Sequence, residues 1–166
     1  MVAEFNRNAN TLGLTDKVTG YKADLLTEHA LAEAIDSACT NLDVVTISMA
    51  LHHFEHPDRA LQSMGQRLKK GGVCFILDLV PRAGDLRPEH EHKHEHRHGH
   101  ENEDEFVEPV HTIKTHGFSR EDMQQLFQGG GLNAGFDYQV LPEPLKITIG
   151  ERTLSKTVFI ARAQRA

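Results

Sequence analysis

The chain has 166 residues and a formal net charge of −6, with 39% hydrophobic and 25% charged residues. This length is enough for one domain around a single core, and the composition is that of an ordinary globular protein. The sequence lacks a run of about 18 apolar residues, so we expect no membrane span. It also lacks a basic face for nucleic-acid binding, and its N-terminus does not have the pattern of a secretory signal. Two cysteines without a CxxC pattern predict a cytoplasmic protein without disulfides.

The N-terminal part of the chain predicts a helix, a short strand and a second helix. Residues 1–12 carry apolar side chains at helical spacing. Residues 17–24, KVTGYKAD, favour a strand that ends at Asp24. Thr27 can cap a further helix over residues 28–38. The buried face of that helix would consist of Leu31, Ala34, Ile35 and Ala38.

Residues 42–80 predict one βαβ unit, with a polar His-rich segment after its first strand. The apolar run LDVVTISMAL is typical of a parallel strand that is covered on both faces. Pro57 can begin a helix, which would end at Gly71 and Gly72. The apolar run VCFILDLV then predicts a second buried strand that stops at Pro81. The side chains that this helix would present to the sheet are Ala60, Leu61, Met64 and Leu68.

The remainder of the chain predicts an insertion, a helix and two final strands. Residues 82–110 are charged, His-rich and nearly free of apolar side chains, which is typical of a flexible segment. Ser119 is a candidate N-cap of a helix that runs to about Gln128, with Asp122 positioned for a capping box. The segments GFDYQVL and SKTVFIARA, with no helix between them, predict an antiparallel pair at the sheet edge.

The insertion also contains a histidine tract, HEHKHEHRHGH. In an extended chain, its alternate spacing would put all the imidazoles on one side. Imidazole is a suitable ligand for Zn²⁺ or Ni²⁺, although a solvated loop with adventitious metal affinity explains the tract as well. The candidate metal ligands are His90, His92, His94, His96, His98 and His100.

The run DVVTISMALHHFEHPDRALQSMGQRLKKGGVCFILDLV resembles the second half of the class I S-adenosylmethionine-dependent methyltransferases, and the small-molecule methyltransferases most closely. In that family a strand ends in an S-x-A-L-H-H type segment, Pro-Asp begins a helix, and L-K-P/K-G-G precedes the next strand. A terminal β-hairpin also marks the family. The resemblance covers about residues 1–80 and 115–163. It implies a three-layer, Rossmann-like α/β fold.

The resemblance also implies where the cofactor, S-adenosylmethionine, would bind. Asp24 would accept a hydrogen bond from the adenine amino group, with Leu25 near the ring, although Asp24 could equally be a turn or helix-capping acid. Ser48, Met49 and Ala50 would line the methionine end of the cofactor, since strand ends carry ligands in this architecture, although they could also be ordinary core residues of the strand. His52 and His53 follow directly, and a histidine there could be a general base, for which His53 is the candidate, or could equally shape the pocket or cap the loop.

The sequence departs from the family in one respect that bears on activity. The family holds its cofactor with a G-x-G-x-G loop after the first strand and an acid after the second, and neither has a counterpart here. The triplet Gly129–Gly131 follows a helix instead of joining a strand to one, which is the wrong geometry for such a cradle. We therefore expect residues 1–166 to form a single, N-terminally truncated methyltransferase domain that lacks the first two strands.

Three functions are compatible with this pattern. The first is S-adenosylmethionine-dependent methyl transfer to a small-molecule acceptor, with inactivity of this chain left open. The second is a non-catalytic remnant that binds a protein partner, or a second copy of itself, through an exposed sheet edge. The third is metal binding by the histidine tract.

Overall fold

The computed structural model describes residues 1–24, 26, 33–81, 113–149 and 152–166. Thr27, Leu31, the insertion at 82–110 and its six histidines lie outside the described residues, so the predictions made for them stay predictions. The elements, in chain order, are α1 (Val2–Thr11), α2 (Glu33–Ala38), β1 (Leu42–Ser48), α3 (Pro57–Arg67), β2 (Leu68–Leu79), α4 (Arg120–Gly129), β3 (Ala134–Val140), β4 (Leu145–Ile149), β5 (Arg152–Lys156) and β6 (Val158–Gln164). A single 3-10 turn, Leu51–His53, follows β1.

Four strands form one mixed sheet in the order β1-β2-β6-β3. β1 and β2 are parallel, with Ile47 opposite Ile76, and α3 connects them as the predicted βαβ unit. β6 is antiparallel to both β2 and β3. The predicted α/β fold and the antiparallel pair of final strands are therefore confirmed. β4 and β5 form a separate two-stranded hairpin.

The core lies between the sheet and the two helices α3 and α4. Alternate residues of each strand face these helices, because successive side chains of a strand point to opposite faces. All four side chains predicted for the buried face of the βαβ helix are buried. The central members of the core are Ile47, Leu51, Leu61, Leu68, Cys74, Ile76, Met123, Phe127, Phe159 and Ala161.

The opposite face of the sheet is much more open among the described residues. Val44 is 54% exposed and Phe75 is 36% exposed, and Thr46 and Ser48 of the same face of β1 are exposed as well. The prediction that β1 is covered on both faces is therefore wrong for this part of the chain. Apolar residues along β1 give it high strand propensity, but they do not supply the element that would cover its second face.

The predicted strand at residues 17–24 does not form. A strand needs a neighbour for its backbone N–H and C=O groups, whereas β1 lies at the edge of the described sheet and pairs only with β2. The segment lies against α1 instead. The Gly20 N–H donates to Asn6 Oδ1 at 2.7 Å, and Asn6 Nδ2 donates to the Gly20 carbonyl at 3.0 Å.

α3 ends earlier than the sequence predicted. It stops at Arg67, and Leu68 already pairs with Leu42 of β1. The next ladder pair joins Val44 to Val73, so residues 69–72 bulge out of the strand opposite a single residue of β1. Gly71 has a φ of +76°, a conformation that glycine adopts without steric cost. Lys69 and Lys70, which the sequence places before the helix end at Gly71, therefore belong to this bulge.

None of the helices in the described ranges is long and apolar enough to span a lipid bilayer.

Candidate functional site

The candidate site lies where β1 and β2 end, because parallel neighbours present their carboxyl ends at the same edge of a sheet. Met49, the first residue after β1, has a φ of +51°, which is uncommon for a residue with a side chain. Its N–H donates to the Leu77 carbonyl at 2.8 Å. This sharp change of direction ends the strand and turns the chain into the 3-10 turn.

His52 and Asp78 form a buried pair at this edge. His52 is 5% exposed and Asp78 is 0% exposed. His52 Nδ1 lies 2.6 Å from Asp78 Oδ1, and the His52 backbone N–H donates to Asp78 Oδ2 at 3.3 Å. The Leu79 N–H donates to Asp78 Oδ1 at 2.7 Å. Of the two tautomers of His52, the one with a proton on Nδ1 donates to the Asp78 carboxylate at this contact.

The backbone around the pair connects it to the segment that leads into α4. The carbonyl of His52 accepts hydrogen bonds from the N–H groups of Lys114 at 3.0 Å and Thr115 at 3.2 Å. The Phe118 N–H donates to the Leu79 carbonyl at 2.9 Å. Residues 114–118 are therefore held against the end of both parallel strands.

One cavity, of about 400 Å³, lies between α3 and the residues Ala23, Asp24 and Leu26. The described residues of its wall are apolar apart from Asp24, which contributes a carboxylate. The same carboxylate accepts a hydrogen bond from the Leu26 N–H at 2.9 Å, so Asp24 is a turn acid and a cavity residue at once. The lining residues are Ala23, Asp24, Leu26, Phe54, Ala60 and Met64.

A second cavity, of about 560 Å³, lies between the start of α3, residues 114–118 and α4. It shares one wall, Phe54, with the first cavity. Apolar side chains line part of it, and the charged residues around it include three acids and one lysine. The main lining residues are Phe54, Glu55, Asp58, Lys114, Phe118 and Leu126.

The residues predicted for the cofactor occupy two places. Asp24 lines the smaller cavity, whereas neither cavity is lined by Ser48, Met49 or Ala50. Leu25 lies outside the described residues. The candidate base His53 is exposed, and its ring lies against that of His52 with the ring centroids 4.1 Å apart.

Sequence reasoning missed the importance of Asp78. Its signal is the acid in the middle of the apolar run VCFILDLV, because a carboxylate in a buried strand requires hydrogen-bond donors. Within the described ranges, no group of three or more His, Cys, Asp or Glu side chains is arranged to hold a metal ion. The histidine tract is not among those ranges.

Comparisons with known proteins agree with this architecture. The sequence profile of a family described as "Methyltransferase domain" matches residues 9–134. A search of curated proteins found no significant match.

Three solved structures illustrate the likeness in fold. An O-methyltransferase family protein from Burkholderia thailandensis aligns with a TM-score of 0.55 and 14% sequence identity, and the alignment covers 99% of this chain and 40% of that protein. The mitomycin 7-O-methyltransferase MmcR aligns with a TM-score of 0.55 and 15% sequence identity, over 98% of this chain and 39% of that protein. The [4+2]-cyclase SpnF has a TM-score of 0.54 and 14% identity, covering 99% and 62%.

The chain thus spans about two fifths of the length of the first two of these proteins. The family profile matches most of the chain, from α1 to the start of β3. The chain therefore belongs to the methyltransferase domain family, and its fold is that of the class I S-adenosylmethionine-dependent methyltransferases.

Proposed function

We propose that this chain takes part in S-adenosylmethionine-dependent methyl transfer to a small-molecule acceptor, and that the 400 Å³ cavity receives the adenosine end of the cofactor. The observation that supports this most directly is the carboxylate of Asp24, which lies among apolar side chains in the part of the cavity wall that the structure describes. Ligand cavities of this kind are mostly apolar, with a few polar groups that fix orientation.

The residues of the smaller cavity fit an adenine ring. The side chains of Leu26, Phe54 and Met64 offer apolar surface for its faces. Asp24 Oδ1 is used by the Leu26 N–H, and the second carboxylate oxygen can accept a hydrogen bond from the exocyclic amine. Asp24 would therefore orient the ring in the manner that the family resemblance implies.

The amino-acid end of the cofactor has no comparable partner in this sequence. The sequence contains no G-x-G-x-G motif, and in the glycine triplet Gly129 is the last residue of α4, with Gly130 and Gly131 following it. Ser48, Met49 and Ala50 remain candidates for the methionine end, because they stand at the carboxyl end of β1. We therefore expect the chain to bind adenosine-containing ligands weakly.

The 560 Å³ cavity is the candidate site for the acceptor. S-Adenosylmethionine supplies an electrophilic methyl group, so a good nucleophile needs mainly to be positioned and shielded from water. Phe54 forms a wall of both cavities, so an acceptor bound in the larger one would lie next to the proposed adenosine site. Phe118 and Leu126 would pack against the acceptor, whereas Lys114 and Asp58 would interact with its polar groups.

Calorimetric titration with S-adenosylhomocysteine and S-adenosylmethionine tests the proposal. We expect a dissociation constant of about 0.1–1 mM for the wild-type chain, since only part of the cofactor finds a partner. Asp24→Asn is expected to weaken binding by about tenfold, because the amide loses the charge of the acceptor.

Asp16→Asn is the matched control, since Asp16 is another exposed acid of the same N-terminal region and does not line the cavity. It should leave the affinity unchanged. Undetectable binding of the wild-type chain at millimolar ligand would contradict the proposal, and so would equal effects of the two substitutions.

A second candidate function is partner binding through the β1 edge. β1 is the terminal strand of the described sheet, and Val44 on it is 54% exposed. β3, at the other edge, has an irregular register between Ala134 and Asp137, which makes it a poorer template for strand addition.

Sedimentation of the wild-type chain, Val44→Lys and Val140→Lys at several concentrations tests this candidate by measuring self-association. Val44→Lys should abolish concentration-dependent association, because lysine on an edge strand blocks strand pairing. Val140→Lys, at a 50% exposed position of β3, is the control and should leave association unchanged. A monomeric wild-type chain at all concentrations would exclude self-association through β1.

A further inference from the structure

The carboxylate of Asp78 is fully buried, yet three N–H groups donate to it. Two of these donors belong to a single residue, the ring and the backbone of His52. Because the Asp78 carboxylate accepts hydrogen bonds from both the backbone and the ring of His52, it fixes the orientation of the His52 backbone as well as that of its side chain. Because both groups are buried, the 2.6 Å contact of the ring is strong, whereas the 3.3 Å contact of the backbone N–H is longer and weaker.

The fixed backbone of His52 in turn positions residues of both cavities. Its carbonyl receives the N–H groups of Lys114 and Thr115, which line the larger cavity. Phe54, two residues after His52, forms the wall that the cavities share.

We propose that His52 and Asp78 are positioning residues, which hold Phe54 and the backbone of Lys114 and Thr115 in place relative to the end of β2. Neither His52 nor Asp78 lines either cavity, so the pair acts through the residues that do. The identity of the ligands rests on the proposed function, whereas the positioning role itself is a property of the folded chain.

Substitutions of His52 test this role, because alanine removes the side-chain donor to Asp78 and asparagine keeps one. His52→Ala removes the ring donor and leaves part of the Asp78 carboxylate unsatisfied. In His52→Asn, the side-chain amide can donate to Asp78 in place of Nδ1–H. His116→Ala removes an exposed imidazole from the same segment as Lys114 and Thr115 and is the control for histidine loss.

The first measurement is amide hydrogen exchange, which reports the opening of individual hydrogen bonds. In His52→Ala, the exchange rate at Lys114 and Thr115 should rise about tenfold more than the rate at Leu132. Leu132 is the reference because its N–H makes no hydrogen bond to the pair: it donates to the Phe127 carbonyl, at a distance of 2.9 Å. His52→Asn should bring this excess back to within about threefold of wild type, and His116→Ala should produce no excess.

The second measurement is the affinity for S-adenosylhomocysteine, which should fall by about tenfold in His52→Ala and recover in His52→Asn. An equal rise in exchange at Lys114, Thr115 and Leu132 would overturn the inference, because it would indicate general destabilisation alone. If His52→Ala does not fold, Asp78→Asn carries the same test, since its amide group cannot accept from all three donors.

The two proposals fail in different ways. Wild-type protein that binds no cofactor analogue, but shows the selective exchange effect, would contradict the proposed function and support the positioning role. Binding that is unaffected in a His52→Ala chain without selective exchange would overturn only the positioning role.

Discussion

Gly65 of α3 and Gly130 at the end of α4 lie against each other so closely that neither position has room for a side chain. A Cβ on Gly65 would overlap the Gly130 carbonyl oxygen, and a Cβ on Gly130 would lie 2.9 Å from the Leu61 carbonyl oxygen. Both obstacles are backbone atoms, which cannot move aside as a flexible side chain can. The two helices that line the larger cavity therefore meet at this contact.

Gly65→Ala should accordingly lower the free energy of unfolding by about 1–3 kcal/mol, the usual cost of overpacking. Gly129→Ala is the matched control, because a Cβ there meets no atom within 4 Å. Alanine at this second position should be neutral or stabilising by up to about 1 kcal/mol. Urea unfolding measures both, and equal midpoints for the two variants would show that the helices do not approach as described.

The N-terminus of α4 depends on a reciprocal capping box. The Asp122 N–H donates to Ser119 Oγ at 3.1 Å, and the Ser119 N–H donates to Asp122 Oδ2 at 2.8 Å. Ser119→Ala should cost about 1 kcal/mol in thermal or urea unfolding. Ser119→Thr keeps the acceptor and should recover most of that loss. A fully stable Ser119→Ala chain would contradict the role of the cap.

Tyr138 should make stability depend on pH in the alkaline range. Burial, with the nearby charges of Asp122 and Glu121, raises the pKa of Tyr138 from 10.0 to about 12. Its hydroxyl donates to the Phe118 carbonyl at 3.0 Å. The folded state thus favours the neutral phenol, so its contribution is complete below pH 10 and is lost as the pH rises from 10 through 12.

The corresponding experiment compares wild type with Tyr138→Phe by urea unfolding at several pH values. At pH 8 the variant should be less stable by about 1 kcal/mol, the typical net value of one hydrogen bond. This difference should shrink between pH 10 and pH 12, because only the wild-type chain loses the contribution of the phenol. A difference that stays constant across that range would refute the linkage.

The two thiols should react at very different rates. Cys74 is 0% exposed, and burial raises the pKa of its thiol from 9.0 to about 12, so almost no reactive thiolate is present near neutral pH. Cys39 is only partly buried. A disulfide reagent should therefore modify Cys39 first and Cys74 only on unfolding. Cys39→Ser should remove the fast reaction, whereas Cys74→Ser should leave it intact.

Local pattern was sufficient for much of the fold. The helical spacing of Ala60, Leu61 and Met64 predicted the buried face of α3, and all three are buried. Ser119 and Asp122 were recognised as a cap from their spacing alone. These features depend on residues three or four apart in the chain, which is the distance over which sequence periodicity is informative.

The candidate site was predictable only in part. Asp24 is predicted at the cofactor and lines a cavity, but the sequence does not distinguish His53, the candidate base, from its neighbour. It is His52 that is buried against a carboxylate 26 residues away. Two adjacent histidines look equivalent in a sequence, and the turn after Met49 decides which one faces the interior.

The sequence by itself determined the elements whose stability is local: α1, α3, the capped α4 and the apolar strands of the βαβ unit. Only the tertiary structure decided which of these elements have neighbours. Residues 17–24 have strand-like composition but no partner strand in the described sheet, and β1 has apolar residues on a face that nothing described covers. A strand and a buried carboxylate both require hydrogen-bond partners from distant parts of the chain. A local sequence pattern cannot show whether such partners lie close by in the folded chain.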